Sequence, residues 1–175
     1  TKLAAAVLND PRIQSHFRRG GLQWHTASST TKAVVLLRHV AERLHGWLGP
    51  QFGSRAPPSA SLDEAGLCTW IQSAAMKYGR PLVVLDNATD LQLVAAIAGA
   101  GVHVLVTTRE QHVAAAGGAR VIEVECVDEA TARKILAGAA GLQGGGGGEA
   151  ALPEQAVAVL AMCGSAAVQL LVVHA

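Results

Sequence analysis

Short apolar runs alternate with longer amphipathic segments along the first 140 residues of the chain. The apolar runs predict strands at 22–27, 82–85, 102–107 and 121–124, because each is short and bounded by turn-forming residues. The amphipathic segments predict helices at 2–8, 37–47, 61–78, 90–98, around 111 and from 128 to about 138. Because strands alternate with helices, the pattern predicts an α/β fold with a mostly parallel sheet.

Polar residues next to these helices predict where they begin and end. The hydroxyls of Ser28 to Thr31 are candidate N-caps for the second helix, and Ser61 to Glu64 have the pattern of a capping box. Asp128 is the predicted N-cap of the helix that follows it. Asn9, Asp10 and Pro11 predict the end of the first helix, since proline disfavours a helical residue before it.

The end of the chain differs in composition from the rest. The run Gly144 to Gly148 predicts a linker, and Pro153 predicts the start of a separate helical segment that continues to residue 175. The predicted organisation is a main domain at 1–140, a linker at 141–150 and the start of a helical module at 151–175. A buried helix pair is favoured over a membrane span at 156–175, because Cys163-Gly164-Ser165 and Gln169 interrupt the apolar run.

Composition excludes several classes of function. A formal net charge of +1 gives no electrostatic reason to bind nucleic acid or an anionic membrane. The three cysteines are scattered, which favours reduced thiols and a cytoplasmic location. The seven histidines form no metal-binding motif, so bound Mg²⁺ is expected only together with a nucleotide.

Polar residues follow two of the predicted strands at the point where each strand ends. Asp86 follows the strand at 82–85, and Thr107, Thr108 and Arg109 end the strand at 102–107. The carboxyl ends of parallel strands form the ligand-binding edge of an α/β sheet. A carboxylate there can hold Mg²⁺ through water, and hydroxyls with an arginine suit a terminal phosphate. The alternatives are an aspartate that only caps a turn and a solvated strand end.

Six segments occur in the order and spacing of a known family: 3–11 with His16-Phe17, 21–28, 82–90, 104–109, 124–131 and 152–164. Together they resemble the NB-ARC nucleotide-binding domain of the STAND class of P-loop NTPases, which includes plant immune receptors, apoptosis adaptors and bacterial regulators. The resemblance implies a three-layer P-loop NTPase-like sandwich that binds ADP or ATP with Mg²⁺.

The resemblance also implies a role for each candidate site residue. Thr1 would ligate the Mg²⁺ ion, and Asp86 would hold a water bound to it. Arg109 would sense the γ-phosphate, with Thr107 and Thr108 as supporting donors. Thr1 is expected to follow directly on a glycine-rich phosphate loop, which the sequence does not contain.

Three departures from the family pattern change what the resemblance implies. Asn87 stands where many members have a second acid, and an amide cannot take a proton from the attacking water, so hydrolysis is expected to be slow or nil. Ser165 to Val168 replace the Gly-Leu-Pro-Leu of the family motif, whose proline contacts the nucleotide. The central first strand is also missing, which predicts a gap between the strands at 102–107 and 121–124.

The expected function is that of a signalling switch. Bound ADP would hold the protein closed, and exchange for ATP would allow its modules to rearrange and form a homo-oligomer. The expected partners are the nucleotide, the missing N-terminal phosphate-loop segment and C-terminal helical modules. Two alternatives stay open: a degenerate interaction module that binds no nucleotide, and an ordinary P-loop ATPase.

Overall fold

The computed structural model describes residues 1–49, 60–114, 119–124, 128, 130–134 and 168–173. Its elements, in chain order, are α1 (Lys2–Leu8), α2 (Pro11–His16), β1 (Leu22–Thr26), α3 (Ala33–Leu48), α4 (Glu64–Tyr78), β2 (Leu82–Asp86), α5 (Leu91–Gly99), β3 (His103–Thr108), α6 (Gln111–Ala114), β4 (Arg120–Val124) and β5 (Val168–Val173). The predicted strands and the main helices are confirmed to within a few residues. None of the described helices is both long and apolar enough to cross a membrane.

The sheet is built on three parallel strands. β1 pairs with β2, and β2 pairs with β3, with Leu22 opposite Leu82 and Val83 opposite Val104. Every residue of β2 is buried, as are the last five residues of β3. Burial on both faces is what a parallel sheet requires, since its crossover connections place other elements over the strands. The predicted α/β fold with a mostly parallel sheet is therefore confirmed.

One continuous hydrophobic core joins three helices to one face of the sheet. Helices α3, α4 and α5 pack against one another. The core residues that these helices contribute recur at helical spacing; they include Leu37, Val40 and Leu44 from α3, Leu67, Ile71 and Ala74 from α4, and Leu93, Val94 and Ile97 from α5. The sheet contributes Val83 and Leu85 from β2 and Val104 and Val106 from β3. These alternate along each strand, so one face of the two strands packs on the helices.

Several predicted helix ends are wrong. The N-cap of α4 is Asp63, whose carboxylate accepts a hydrogen bond from the Gly66 N–H, so the capping box predicted from Ser61 does not form. α3 begins after Lys32, and the hydroxyls of Ser28 and Thr31 hydrogen-bond each other instead of capping it.

At other positions, among them Asp10 and Asp128, a short polar side chain does cap a helix. Asp10 caps α2, a helix that the sequence analysis missed because Pro11 suggested only an end; proline is also well placed at a first helical position. The predicted cap at Asp128 is confirmed, since its carboxylate accepts from the Thr131 N–H.

The helix predicted to continue to residue 175 is wrong at 168–173, which form β5. β5 lies between β3 and β4 in the strand order β1-β2-β3-β5-β4, and it runs antiparallel to β3. The sequence Val-Gln-Leu-Leu-Val-Val is rich in valine, which favours a strand over a helix. The expected gap between β3 and β4 is therefore occupied by a strand from the end of the chain. The predicted boundaries at 140 and 150 lie outside the described residues.

The chain divides into two compact units. One consists of Thr1–Glu123 and Gln169–Ala175, and the other of Val124–Val168. All five strands lie wholly or almost wholly within the first unit. The site described below belongs to that unit as well.

Two glycines test the close approach of two backbone segments, the one before β1 and the one before β2. A Cβ atom at Gly20 would overlap the carbonyl group of Arg80, which lies just before β2, whereas a Cβ atom at Gly46 in α3 would meet nothing. Gly20→Ala is expected to destabilise the fold by about 1–3 kcal/mol, as overpacked sites do. Gly46→Ala is expected to stabilise it by about 0.5–1 kcal/mol, since alanine has the higher helix propensity. Urea unfolding of both variants checks this, and equal effects would contradict the close approach.

His25 in β1 predicts a dependence of stability on pH. Burial, with the nearby charges of Arg43 and His39, lowers the pKa of His25 from 6.5 to about 4. Its Nε2 atom lies 3.3 Å from Oε1 of the buried Gln23. Between pH 6.5 and 4 the unfolded chain takes up a proton that folded His25 does not, so stability is expected to fall as the pH falls through this window.

The measurement is urea unfolding from pH 7.5 to pH 5.5, a range in which His25 of the unfolded chain takes up its proton while most carboxylates stay ionised. His25→Gln should flatten the pH dependence, because it removes the group whose pKa is lowered by folding. An unchanged slope in His25→Gln would show that another group carries the dependence.

Candidate functional site

The ends of β2 and β3 bring the predicted polar residues to one edge of the sheet. Leu85 pairs with Val106, so Asp86 and Thr107 follow side by side at the carboxyl ends of two parallel strands. Both are buried, with 5% and 3% of their surface exposed. A buried carboxylate needs hydrogen-bond donors, because its transfer from water is otherwise very unfavourable.

The Thr107 hydroxyl links Asp86 to the turn that follows it. Thr107 Oγ1 donates to Asp86 Oδ1 at 2.7 Å and accepts from the Asn87 N–H at 2.9 Å. The Ala88 N–H donates to the Thr107 carbonyl at 2.9 Å. Asn87 has φ of 60°, a left-handed conformation that asparagine tolerates better than most residues. The backbone after β2 is thus fixed to the end of β3.

Thr1 reaches the same carboxylate from the opposite end of the sequence. Its Oγ1 atom lies 2.7 Å from Oδ1 and 3.0 Å from Oδ2 of Asp86, and its terminal ammonium lies 3.5 Å from Oδ1. Thr1 precedes α1 in the N-cap position, yet its side chain makes no capping bond there. The hydroxyl therefore serves Asp86 instead of the helix.

These contacts determine the charge of Asp86. Burial is the largest influence and favours the neutral acid. It is outweighed by the hydrogen bonds from Thr107 and Thr1 together with the terminal ammonium, so the pKa of Asp86 is lowered. The side chain is consequently an anion at neutral pH. Its Oδ2 atom receives only the longer bond from Thr1 among the described residues, which leaves this oxygen with acceptor capacity.

Thr108 and Arg109 take different positions at this edge. The Thr108 hydroxyl donates to the Ala88 carbonyl at 2.6 Å and accepts from the Glu110 N–H at 3.0 Å, and only 1% of the residue is exposed. Its one hydrogen is committed to the backbone, so it braces the turn after β2. Arg109 lies exposed in the bend after β3. The structure thus connects four of the predicted residues by hydrogen bonds: Thr1, Asp86, Asn87 and Thr107. Arg109 directly follows β3 at the same edge.

The main described clefts lie at the other edge of the sheet. The largest of them, about 830 Å³, is lined by Arg18, Arg19, Trp47, Leu48, Met76, Lys77, Tyr78 and Gly79. These residues precede β1 and β2 or end α3 and α4, so they stand at the amino ends of the strands. No described cleft includes Asp86, Thr107 or Arg109.

The donor atoms at the carboxylate edge suit a hard cation. Carboxylate and hydroxyl oxygens are ligands that Mg²⁺ accepts, and this ion usually keeps several waters and shares phosphate oxygens. The described part of the chain contains no group of three or more histidine, cysteine, aspartate or glutamate side chains that could hold a metal ion. Thr1 and Asp86 alone fit an ion that arrives with other ligands.

Two features of the site were not evident from the sequence. The direct bond between Thr1 and Asp86 spans 85 positions, and only the family resemblance associated both residues with one ion. The second feature is Thr107 as the link between the carboxylate and the Asn87 N–H. The turn-forming residues after Asp86 were the available signal, since asparagine often adopts left-handed backbone in turns.

Replacing Thr107 tests the hydrogen bonds that hold Asp86. Thr107→Val keeps the shape but removes the donor to Asp86 and the acceptor for Asn87. We expect a loss of about 1–3 kcal/mol in the free energy of unfolding, as for buried groups left without a partner. The pKa of Asp86 should rise, because the lost bond favoured the anion.

The measurements are urea unfolding at pH 7 and NMR titration of the Asp86 carboxyl carbon. Thr69→Val is the matched control, since the Thr69 hydroxyl is exposed and bonds only a carbonyl within its own helix. That variant should change stability by less than about 0.5 kcal/mol. An unmoved Asp86 titration in Thr107→Val would contradict the assigned bond.

Comparisons with known proteins do not assign a family. No protein-family model matches the chain, and a search of curated proteins finds no match. Function must therefore be argued from the residues at the carboxylate edge and from their geometry.

Proposed function

We propose that this chain is the ADP- or ATP-binding segment of a STAND-type NB-ARC signalling switch. The observation that carries the proposal is the pair of hydroxyls, from Thr1 and Thr107, that hydrogen-bond the buried Asp86 carboxylate at the carboxyl edge of a parallel sheet. One hydroxyl precedes the first helix and the other ends a neighbouring strand. In a P-loop NTPase-like sandwich, a hydroxyl and a carboxylate placed in this way would lie beside the metal ion of the nucleotide.

In this proposal Asp86 and Thr1 act on a nucleotide-bound Mg²⁺ ion. The anionic Asp86 would hold a metal-bound water through its less occupied oxygen, and the Thr1 hydroxyl would turn from the carboxylate to the ion. Bound Mg²⁺ supplies charge that neutralises the phosphates. A glycine-rich phosphate loop before Thr1 would provide the backbone N–H groups that cradle them. Thr107 would keep Asp86 oriented throughout.

Arg109 would report on the third phosphate. Its guanidinium carries a permanent charge and can form two parallel hydrogen bonds with a phosphate. It is exposed at the same edge, one residue beyond β3, and so it can reach a ligand without breaking a described hydrogen bond. Thr108 would contribute by fixing the turn rather than as a direct donor, since its hydrogen is bound to Ala88.

Asn87 suits a protein that retains its nucleotide. Its side chain is exposed, and its amide can orient a water but cannot remove a proton from it. Hydrolysis would then be slow, and the switch would act by exchanging ADP for ATP in the cytoplasm. Exchange would change how further modules pack and would permit homo-oligomers to form.

A second candidate is an interaction module that has lost nucleotide binding. It is favoured by the direct bond of the Thr1 hydroxyl to Asp86, which occupies the groups that would otherwise face a metal ion. The test uses a loop-bearing chain, in which a G-x-x-x-x-G-K segment precedes Thr1. Titration of this chain with Mg-ATP separates the two candidates. The switch requires binding that Asp86→Ala weakens in the presence of magnesium, whereas the interaction module requires none. A fast ATPase would instead favour an ordinary P-loop enzyme.

Arg109 allows a sharper test in the same loop-bearing chain. Arg109→Ala should weaken ATP binding by about 1.5–3 kcal/mol, roughly ten- to a hundredfold, because a charge-assisted bond to the γ-phosphate is lost. ADP binding should stay nearly unchanged. Isothermal titration with each nucleotide, with and without magnesium, measures both affinities.

Two further variants accompany this test, one as a control for nucleotide affinity and one as a test of hydrolysis. Arg120→Ala removes an exposed arginine from β4 and should leave both affinities as they were. Asn87→Asp should raise hydrolysis without disturbing the turn, since aspartate also tolerates the left-handed conformation. Equal losses for ATP and ADP in Arg109→Ala would remove the sensor role from the proposal.

A further inference from the structure

β5 differs from the other described pairings of the sheet in direction. β1, β2 and β3 are parallel, whereas β5 runs antiparallel to β3 with Val104 opposite Val173 and Thr108 opposite Gln169. β5 is also the strand most distant from its neighbours in sequence, since 43 residues lie between Val124, the end of β4, and Val168, the start of β5. Its place in the sheet therefore does not follow from a local connection.

The position between β3 and β4, here called the strand slot, must be filled for the sheet to be stable. Val104, Leu105 and Val106 of β3 are at most 4% exposed. Their backbone groups on the side away from β2 would lose their partners if the strand slot were empty. Unpaired backbone groups in a buried strand are strongly unfavourable, and an open edge is a template for another strand.

The segment that fills the strand slot has the properties of an exchangeable strand. Val168 to Val173 carry no charge, no proline and no glycine, which is the composition of segments that readily pair with other strands. No short connection joins β5 to β3 or β4, because 43 residues lie between Val124 and Val168. The strand of a second copy therefore competes only with the effective concentration of a distant segment. β5 and the strand slot are thus complementary surfaces joined by a long connection.

We propose that the strand slot is an exchangeable strand-binding site, and that a second copy of this chain can supply the strand. Two identical chains carry the same slot and the same strand, so a reciprocal exchange closes a two-fold dimer without any new contact. The pairing of Val104 to Thr108 with the incoming strand would be unchanged. This inference rests on the sheet topology and does not require nucleotide binding.

The exchange would bring the second copy to the candidate site. Gln169 pairs with Thr108, which lies next to Thr107 at the edge that holds Asp86. The incoming strand would therefore begin at the carboxylate edge of its host. Dimer formation and the site would then be coupled through the end of β3.

Disulfide trapping tests which chain fills the strand slot. Leu105 and Val172 are partners in the register, and directly opposed residues fall within the Cα separation that a disulfide accepts. The background chain has Cys68, Cys126 and Cys163 replaced by serine. One version carries both Leu105→Cys and Val172→Cys, and two further versions carry one substitution each. The control pair is Leu105→Cys with Leu170→Cys, which lies two residues out of register.

The expected result depends on concentration. The double variant should form its disulfide within one chain after dilute refolding. The two single variants, refolded together near 1 mM, should form a disulfide between chains, because a tethered segment has an effective concentration of about that order. The control pair should crosslink roughly tenfold less, since its Cα atoms lie outside the range for a disulfide. Mass spectrometry identifies the linked residues, and size exclusion reports the dimer.

Two outcomes would overturn the proposal. A disulfide in the double variant but none between the mixed single variants would mean that β5 stays in its own strand slot. Equal crosslinking of the matched and control pairs would mean that no strand occupies the strand slot in this register. Retention of the unfolding transition by each variant shows that the disulfides report on folded protein.

Discussion

The Asp86 carboxylate is buried at the end of a strand, and its need for hydrogen-bond donors organises the structure around it. Thr107 supplies one donor from β3 and at the same time accepts from the backbone after Asp86. Thr1 supplies another from the start of the chain. One charged group thereby fixes the ends of two central strands and the beginning of α1. A ligand that binds at this edge must therefore replace or rearrange hydrogen bonds that already satisfy the Asp86 carboxylate.

Much of the fold could be predicted because its determinants are local or periodic. The fully apolar strand from Leu82 to Leu85 and the helical spacing of Leu37, Val40 and Leu44 are set by burial alone. The cap at Asp128 is predictable because it is local: its short polar side chain bonds a backbone N–H only three residues away. The prediction of a capping box at Ser61 is wrong because Asp63 can fill the same N-cap position. The path of the backbone before α4 decides which of the two residues caps the helix.

The features that escaped prediction depend on pairings between distant residues. β5 was mistaken for a helix because an apolar run has the same appearance in either structure until its neighbours are known. The hydrophobic pattern of a strand does not determine which other strand it pairs with, so the pairing of β5 with β3 could not be predicted. The candidate site residues were predictable as strand ends, but their division of labour was not. Thr107 faces the carboxylate while Thr108 braces the backbone, a difference made by one step along a strand whose side chains alternate.

The outer strand β1 carries a polar pair that has a bearing on how this protein meets copies of itself. Gln23 and His25 are two residues apart, so they share a face of β1, and the Gln23 amide donates to the Val40 carbonyl of α3. Polar side chains that face the packed side of a strand oppose a one-residue shift in its pairing, because the shift would turn them away from their partners. The pair of Gln23 and His25 therefore helps to hold β1 in one register on β2. Under the proposed exchange, association of copies through strands would occur at the strand slot and would end after one reciprocal exchange.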